Sequence, residues 1–214
     1  MFVRSIMVPS YACHVCLPTD SLKSALTKLE KMDIEAMPVL SNEREYLGML
    51  GKQDIYRAYF LQDQDKDVFL TVTTVQDVVN HSDLYIYEDE VFEQTLTTFK
   101  QFAIIAVVDE HRHFKGIVTR FDVLERFKST FGMNRSGIRL ALATADESGR
   151  LNQLTDILKQ VRADIISLTT FDEADRLIRR IIVKVSPAIN QKKIKQKLEH
   201  SGFKILSIKE CAND

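Results

Sequence analysis

The residues best equipped for chemistry lie in Gly116-Ile117-Val118-Thr119-Arg120-Phe121-Asp122-Val123. A β-branched run gives way at Thr119, and the stretch beginning at Phe121 has the apolar spacing of an amphipathic helix. A strand-to-helix corner of this kind offers unpaired backbone N–H groups, the Thr119 hydroxyl, and the Asp122 carboxylate one turn inside the helix. Phosphate and a ribose diol complement that set. The same residues also form an ordinary capping box, with Thr119 as N-cap and Asp122 three residues on. The octapeptide alone leaves both readings open.

A second copy, Gly48-Met49-Leu50-Gly51-Lys52-Gln53-Asp54-Ile55, lies 68 residues earlier. The same offset superposes Val39 on Val107, Arg44 on Arg112 and Tyr46 on Phe114. It departs from the first at Gly51, which has no hydroxyl, although a backbone N–H remains and Lys52 adds a point charge. A third grouping is Asp146-Glu147-Ser148-Gly149-Arg150-Leu151, where Gly149 permits close backbone approach or a positive φ at a helix mouth.

No catalytic set emerges, and the carboxylates are scattered too widely to nominate an acid–base pair. Cys13-His14-Val15-Cys16 falls in an expected strand that would point the two thiols to opposite faces, and no second Cys/His pair completes four metal ligands, so packing is the expected role. His111 and His113 flank Arg112 in a polar hairpin turn. Lys192, Lys193, Lys195 and Lys197 fit the solvated face of a helix better than a nucleic-acid stripe.

The elements that must hold these groups follow from periodicity. In the first half the spacing predicts an entry helix from Phe2 to Met7, a strand from Ala12 to Cys16, and a helix capped at Pro18-Thr19-Asp20-Ser21. Strands Met37 to Leu40 and Tyr46 to Leu50 follow, then a helix ending near Phe60 and a solvated loop from Gln62 to Asp67. The second half repeats the order: entry helix Val75 to Asn80, strand Leu84 to Tyr87, helix Val91 to Phe99, strands Ala103 to Val108 and Phe114 to Val118, and helix Asp122 to Phe131. Two such units, each too small to bury its own face well, are expected to share a core. From Ile138 the rhythm changes to βαββαβ, a split ferredoxin-like order with two strands about a tight polar turn.

The pattern G-h-h-[ST]-x-x-D-h in two copies, with Ala36-Met37-Pro38-Val39-Leu40 and Ile104-Ile105-Ala106-Val107-Val108 upstream, resembles the CBS domain pair over about residues 1 to 131. The D-x-x-G-x-L turn within βαββαβ is similar to the ACT domain. A CBS pair followed by an ACT domain resembles the stand-alone bacterial CBS-ACT proteins of the acetoin-utilisation type. The fold class implied is α+β, a tandem βαββα-type CBS pair plus a ferredoxin-like ACT unit. It divides as CBS 1 over 1–68, CBS 2 over 69–131, a linker over 132–136, and the ACT-like domain over 137–214.

The resemblance implies a regulatory ligand rather than a catalytic cofactor: AMP, ADP, ATP or a cyclic dinucleotide such as cyclic di-AMP. In that family the motif Asp grips ribose hydroxyls, the Ser or Thr holds phosphate, and adenine slots between apolar residues of the opposite copy. Carried over, one site takes Thr119, Arg120 and Asp122 with Ile34, Ala36 and Met37. A weaker one takes Gly51, Lys52 and Asp54 with Ile104 and Ile105. The ACT resemblance implies a small-amino-acid site at Asp146, Ser148, Gly149 and Leu151. No metal site is expected. By resemblance a homodimer is the default assembly, with an unidentified protein as target. The alternatives are an amino-acid sensor on a passive CBS platform, or a regulatory subunit with vestigial sites. With a formal net charge of −1 there is no strong pull toward nucleic acid or anionic membrane. No apolar run of about 20 residues and no secretory leader is legible, which predicts a soluble cytoplasmic chain. Three cysteines argue against a disulfide framework.

Overall fold

The structure, a computed structural model, describes residues 1–99, 102–172 and 177–212. It comprises two compact units, Met1–Leu124 and Glu125–Asp214.

The first unit opens with a 3-10 turn, Val3–Ser5, a two-residue strand β1 (Val8–Pro9), and a second 3-10 turn, Ser10–Ala12. The strand expected from Ala12 to Cys16 shrinks to a single parallel bridge between Cys16 and Val39. Helix α1 (Leu22–Lys31) is capped by the Ser21 hydroxyl, which accepts from the Ser24 N–H, and it buries Leu22, Ala25, Leu26 and Leu29. Strands β2 (Ala36–Leu40) and β3 (Tyr46–Gly51) form an antiparallel hairpin. Helix α2 (Lys52–Phe60) leaves β3 directly.

The loop expected over Gln62–Asp67 ends early. Asp65 accepts from the N–H groups of Asp67 and Val68 and so starts helix α3 (Lys66–Val72), whose Phe69 and Leu70 enter the first-half core. After a 3-10 turn at Val75–Asp77 come β4 (Tyr85–Tyr87), a 3-10 turn at Phe92–Gln94, and the one-turn helix α4 (Thr95–Thr98). The full helix expected from Val91 to Phe99 does not form. Thr95, Thr97 and Thr98 bond back to carbonyls three or four residues earlier, which competes with a regular ladder. Strands β5 (Ile104–Val108) and β6 (Phe114–Thr119) then pair antiparallel, and helix α5 (Arg120–Thr130) follows.

The 68-residue repeat is realised as a pseudo-two-fold. Tyr46 N–H donates to the Arg112 carbonyl at 3.0 Å, and its counterpart Phe114 N–H donates to the Arg44 carbonyl at 2.9 Å. Arg44 and Arg112 both take positive φ, 65° and 64°, in equivalent hairpin turns. Each half also sends its entry segment across to the other: β1 pairs with β6, and Asn80 bridges Met49 of β3. Glycine is required at both crossings, since a Cβ on Gly116 would lie 2.1 Å from the Val8 carbonyl oxygen and one on Gly48 2.5 Å from that of Asn80. Leu40, Tyr46 and Met49 share a core with Leu84, Ala106, Val108 and Phe114, so each half buries the other's apolar face.

In the second unit, β7 (Gly137–Ala145), α6 (Arg150–Gln160), β8 (Ile165–Asp172), β9 (Ile178–Val185), α7 (Gln191–His200) and β10 (Lys204–Cys211) realise the expected βαββαβ order. The sheet order is β10-β7-β9-β8, all neighbours antiparallel. Alternate residues of β7 and β9, among them Leu140, Leu142, Ile181 and Val183, share a core with Leu154, Leu158, Ile194 and Leu198 from the two helices. The polar turn expected between β8 and β9 lies outside the described residues.

Candidate functional site

Both motif corners are built as helix starts. In the second half, Asp122 Oδ2 accepts from Thr119 Oγ1 at 2.5 Å and from Thr119 N–H at 3.1 Å, while Asp122 N–H donates to Thr119 Oγ1 at 3.1 Å. The capping-box reading is therefore satisfied at this corner, through one carboxylate oxygen. In the first half, Gly51 N–H donates to Asp54 Oδ2 at 2.9 Å, with no hydroxyl to share the load. Asp54 is 8% exposed, and its other oxygen stands 3.9 Å from His81 Nε2.

A cavity of about 250 Å³ opens at the Asp54 corner, lined by Glu35, Ala36, Gly51, Gln53, Asp54, Arg57, His81, Phe102 and Ala103. Residues of both halves therefore surround one carboxylate. The His81 and Phe102 rings lie 4.3 Å apart, centroid to centroid, and tilted by 56°. Lys52 does not face this space freely: its ammonium pairs with Glu35 at 3.0 Å, and that hydrogen bond holds the Lys52 pKa above its usual value.

Strand register decides the company each predicted residue keeps. Ala36 pairs with Gly51, and Ile104 pairs with Thr119, so each sits beside the motif of its own half, because the two strands of one hairpin carry them. The sequence reading grouped them crosswise. Met37 and Ile105 are fully buried and serve the core. Ile34 packs against the first-half core. Arg120 is engaged, giving Nη2 to the Phe102 carbonyl at 2.9 Å and lying over the Phe99 ring at 5.9 Å.

His81, Phe102, Arg57 and Glu35 were absent from the sequence reading. One signal could have found Phe102: adding the 68-residue offset to Ile34 lands on it. His81 had no such marker.

In the second unit Gly149 takes φ +84° at the start of α6, and among the described residues beyond its chain neighbours no atom lies within 4 Å of where a Cβ would stand. Asp146 is tied to Arg179 at 2.9 Å. Leu151 packs on the domain core, and Ser148 is exposed. Near this turn the Thr144 hydroxyl and the Nε of Arg150 and of Arg179 are buried with no hydrogen-bond partner among the described residues. Thr144 and Arg179 face each other across β7 and β9.

Cys13 Sγ donates to the carbonyls of Val8 and Pro9, at 3.4 and 3.3 Å, and Cys16 is buried with its thiol pushed up to about 12 by burial and by Asp20. Among the described residues no group of three or more His, Cys, Asp or Glu could hold a metal ion. None of their helices is long and apolar enough to cross a membrane.

The first unit is thus a duplicated unit with exchanged entry segments and paired strand-to-helix corners. The CBS domain family matches residues 3–61 and 75–129, and the chain belongs to that family. The inosine-5'-monophosphate dehydrogenase of Methanocaldococcus jannaschii is 25% identical over 201 residues, 92% of this chain, while the chain spans only 37% of that enzyme's length. CbpB of Listeria monocytogenes, solved in complex with c-di-AMP, is 25% identical with a TM-score of 0.53, the match covering 59% of this chain and 94% of that one. CBSX2, solved in complex with AMP, is 25% identical with a TM-score of 0.51, covering 59% and 95% of the two chains.

Proposed function

We propose that this protein is a non-enzymatic sensor that binds an adenine nucleotide, AMP, ADP, ATP or cyclic di-AMP, at the corners of its CBS pair. It would report occupancy by shifting how its repeats, domains or subunits pack. The observation that carries this reading is the Asp54 cavity, walled by Ala36 and Gly51 from one half and by His81 and Phe102 from the other. A ligand held there touches both halves and can favour one arrangement of them over another. A coupling of about 1–3 kcal/mol is enough for such a switch. The complexes of CbpB with c-di-AMP and of CBSX2 with AMP support the same ligand class.

The two corners have different work. At the Asp122 corner an arriving phosphate accepts the Thr119 hydroxyl hydrogen bond, with Arg120 adding charge, and so leaves Asp122 Oδ2 with the Thr119 N–H alone and free to accept from a ribose diol. Ile34 of the first half is the pseudo-symmetric partner of Phe102 and walls the base there. This corner is the tighter site for a phosphorylated ligand. The Asp54 corner, with Gly51 in place of a hydroxyl and Lys52 committed to Glu35, is the weaker one.

The remaining organisation follows the same proposal: CBS 1 over 1–68, CBS 2 over 69–131, a linker over 132–136 and an ACT-like domain over 137–214, acting as a homodimer on a protein target. A second reading places a small amino acid at Asp146, Ser148, Gly149 and Leu151. It is favoured by the buried hydroxyl of Thr144 and the Nε atoms of Arg150 and Arg179, which have no partner among the described residues and suit a carboxylate.

Isothermal titration with AMP, ATP, cyclic di-AMP and S-adenosylmethionine tests the main reading, with amino acids as a separate panel. Nucleotide binding that Asp122→Ala weakens more than Asp54→Ala supports it; heat only from amino acids would move the sensor to the second unit.

A further inference from the structure

Gly51 is the position at which the first motif copy loses its hydroxyl, and the structure gives a physical reason. A Cβ there would lie 3.3 Å from Phe102 Cζ and 3.0 Å from Asp54 Oδ2, so a Ser or Thr fits only if the ring gives way by a few tenths of an ångström. The equivalent place beside Asp122 is filled by the Thr119 hydroxyl itself. One corner has kept a polar group suited to phosphate. The other has exchanged it for an aromatic surface.

The backbone that carries the two rings is hydrogen-bonded. His81 sits in the left-handed region at φ 59°, its N–H donates to Asn80 Oδ1 at 2.8 Å, and its carbonyl accepts the Tyr46 hydroxyl at 2.9 Å. The Phe102 carbonyl accepts from Arg120 Nη2 at 2.9 Å. Among the described residues the lining offers an anion no surplus positive charge: Asp54 and Glu35 stand against Arg57, and the nearby Lys52 is already bound to Glu35. The volume of about 250 Å³ suits a base and its ribose, below the roughly 300–1,000 Å³ usual for larger ligands.

Resting on the proposed sensor role, we propose that the Asp54 cleft reads a purine nucleoside rather than its phosphates: the base stacks against the Phe102–His81 pair and Asp54 Oδ1 takes the ribose hydroxyls. Phe102 and His81 are then the specificity-determining residues of this cleft. Phosphate number matters little to it, in contrast to the Asp122 corner.

The test titrates the full-length Asp122→Ala variant with adenosine, AMP and ATP. The three dissociation constants should agree within about threefold, since the described lining has no surplus positive charge to reward phosphates. Adding Phe102→Ala should weaken binding by about 5- to 150-fold, the range of a lost base–aromatic stack, whereas Phe102→Tyr should retain it. His81→Ala should weaken it in the same direction. An unchanged melting temperature for Phe102→Tyr, and a cooperative transition for Phe102→Ala, separates lost stacking from lost fold. ATP binding more than about tenfold tighter than adenosine, or Phe102→Ala binding as well as its parent, overturns the proposal. If wild type binds adenine compounds and Asp122→Ala binds none, this inference fails alone; if wild type binds none, the sensor reading fails with it.

Discussion

Gly116→Ala probes the crossing of the two halves. The added methyl carbon would stand 2.1 Å from the Val8 carbonyl oxygen, 3.1 Å from the Val8 carbonyl carbon and 3.3 Å from Pro9 Cα. All three are backbone atoms, so no rotamer change relieves the contact. Strand β1 must retreat until the closest approach exceeds 3.0 Å, which pulls Val8 and Pro9 away from their partners Ile117 and Gly116. Overpacking of this kind costs about 1–3 kcal/mol. For a unit of this size that lowers the melting temperature by about 4–12 °C. Circular dichroism melting gives the shift, and amide hydrogen exchange at Val8 and Ile117 should show faster opening there than in the second unit. Gly48→Ala should act in the same direction through Asn80, whose oxygen would lie 2.5 Å from the new carbon. A Gly116→Ala protein melting within about 1 °C of wild type, with unchanged exchange at Val8, would refute the crossing as described.

Other outcomes follow from single contacts. Tyr46→Phe removes the hydroxyl that bonds the carbonyls of His81 and Leu84 and should cost roughly 1–2 kcal/mol in a denaturant titration. Burial raises the Asp109 pKa, but the His113 N–H, the Lys115 ammonium and the His111 N–H outweigh it and hold the carboxyl well below its usual range. Because the folded value is the lower one, this contribution is full above about pH 4 and is lost as pH falls further, so Asp109→Asn should flatten the acid limb of the stability curve. With its thiol pushed up to about 12, Cys16 should stay silent to a thiol reagent at neutral pH until the chain is denatured. Gly149→Ala meets no atom and should cost only the left-handed backbone strain, about 1–2 kcal/mol, with the loss confined to melting of the second unit.

What the sequence alone determined was local or periodic. The 68-residue offset located both hairpins and both motif corners, and Asp122 and Asp54 cap their helices three residues after the N-cap, a spacing set by helix geometry. The apolar rhythm of α1 and the βαββαβ order of the second unit were readable for the same reason: each is decided by residues within a turn or a strand of one another. Tertiary structure decided the rest. Asp65 turned a polar insert into the start of a helix only because Phe69 and Leu70 had a core to enter. The expected strand at Cys16 became one bridge, and Ala36 and Ile104 went to their own halves, because strand register answers to partners across the sheet. His81 and Phe102 meet Asp54 from 27 and 48 residues away, a proximity fixed by burying two apolar faces against each other and carrying no mark in either local stretch.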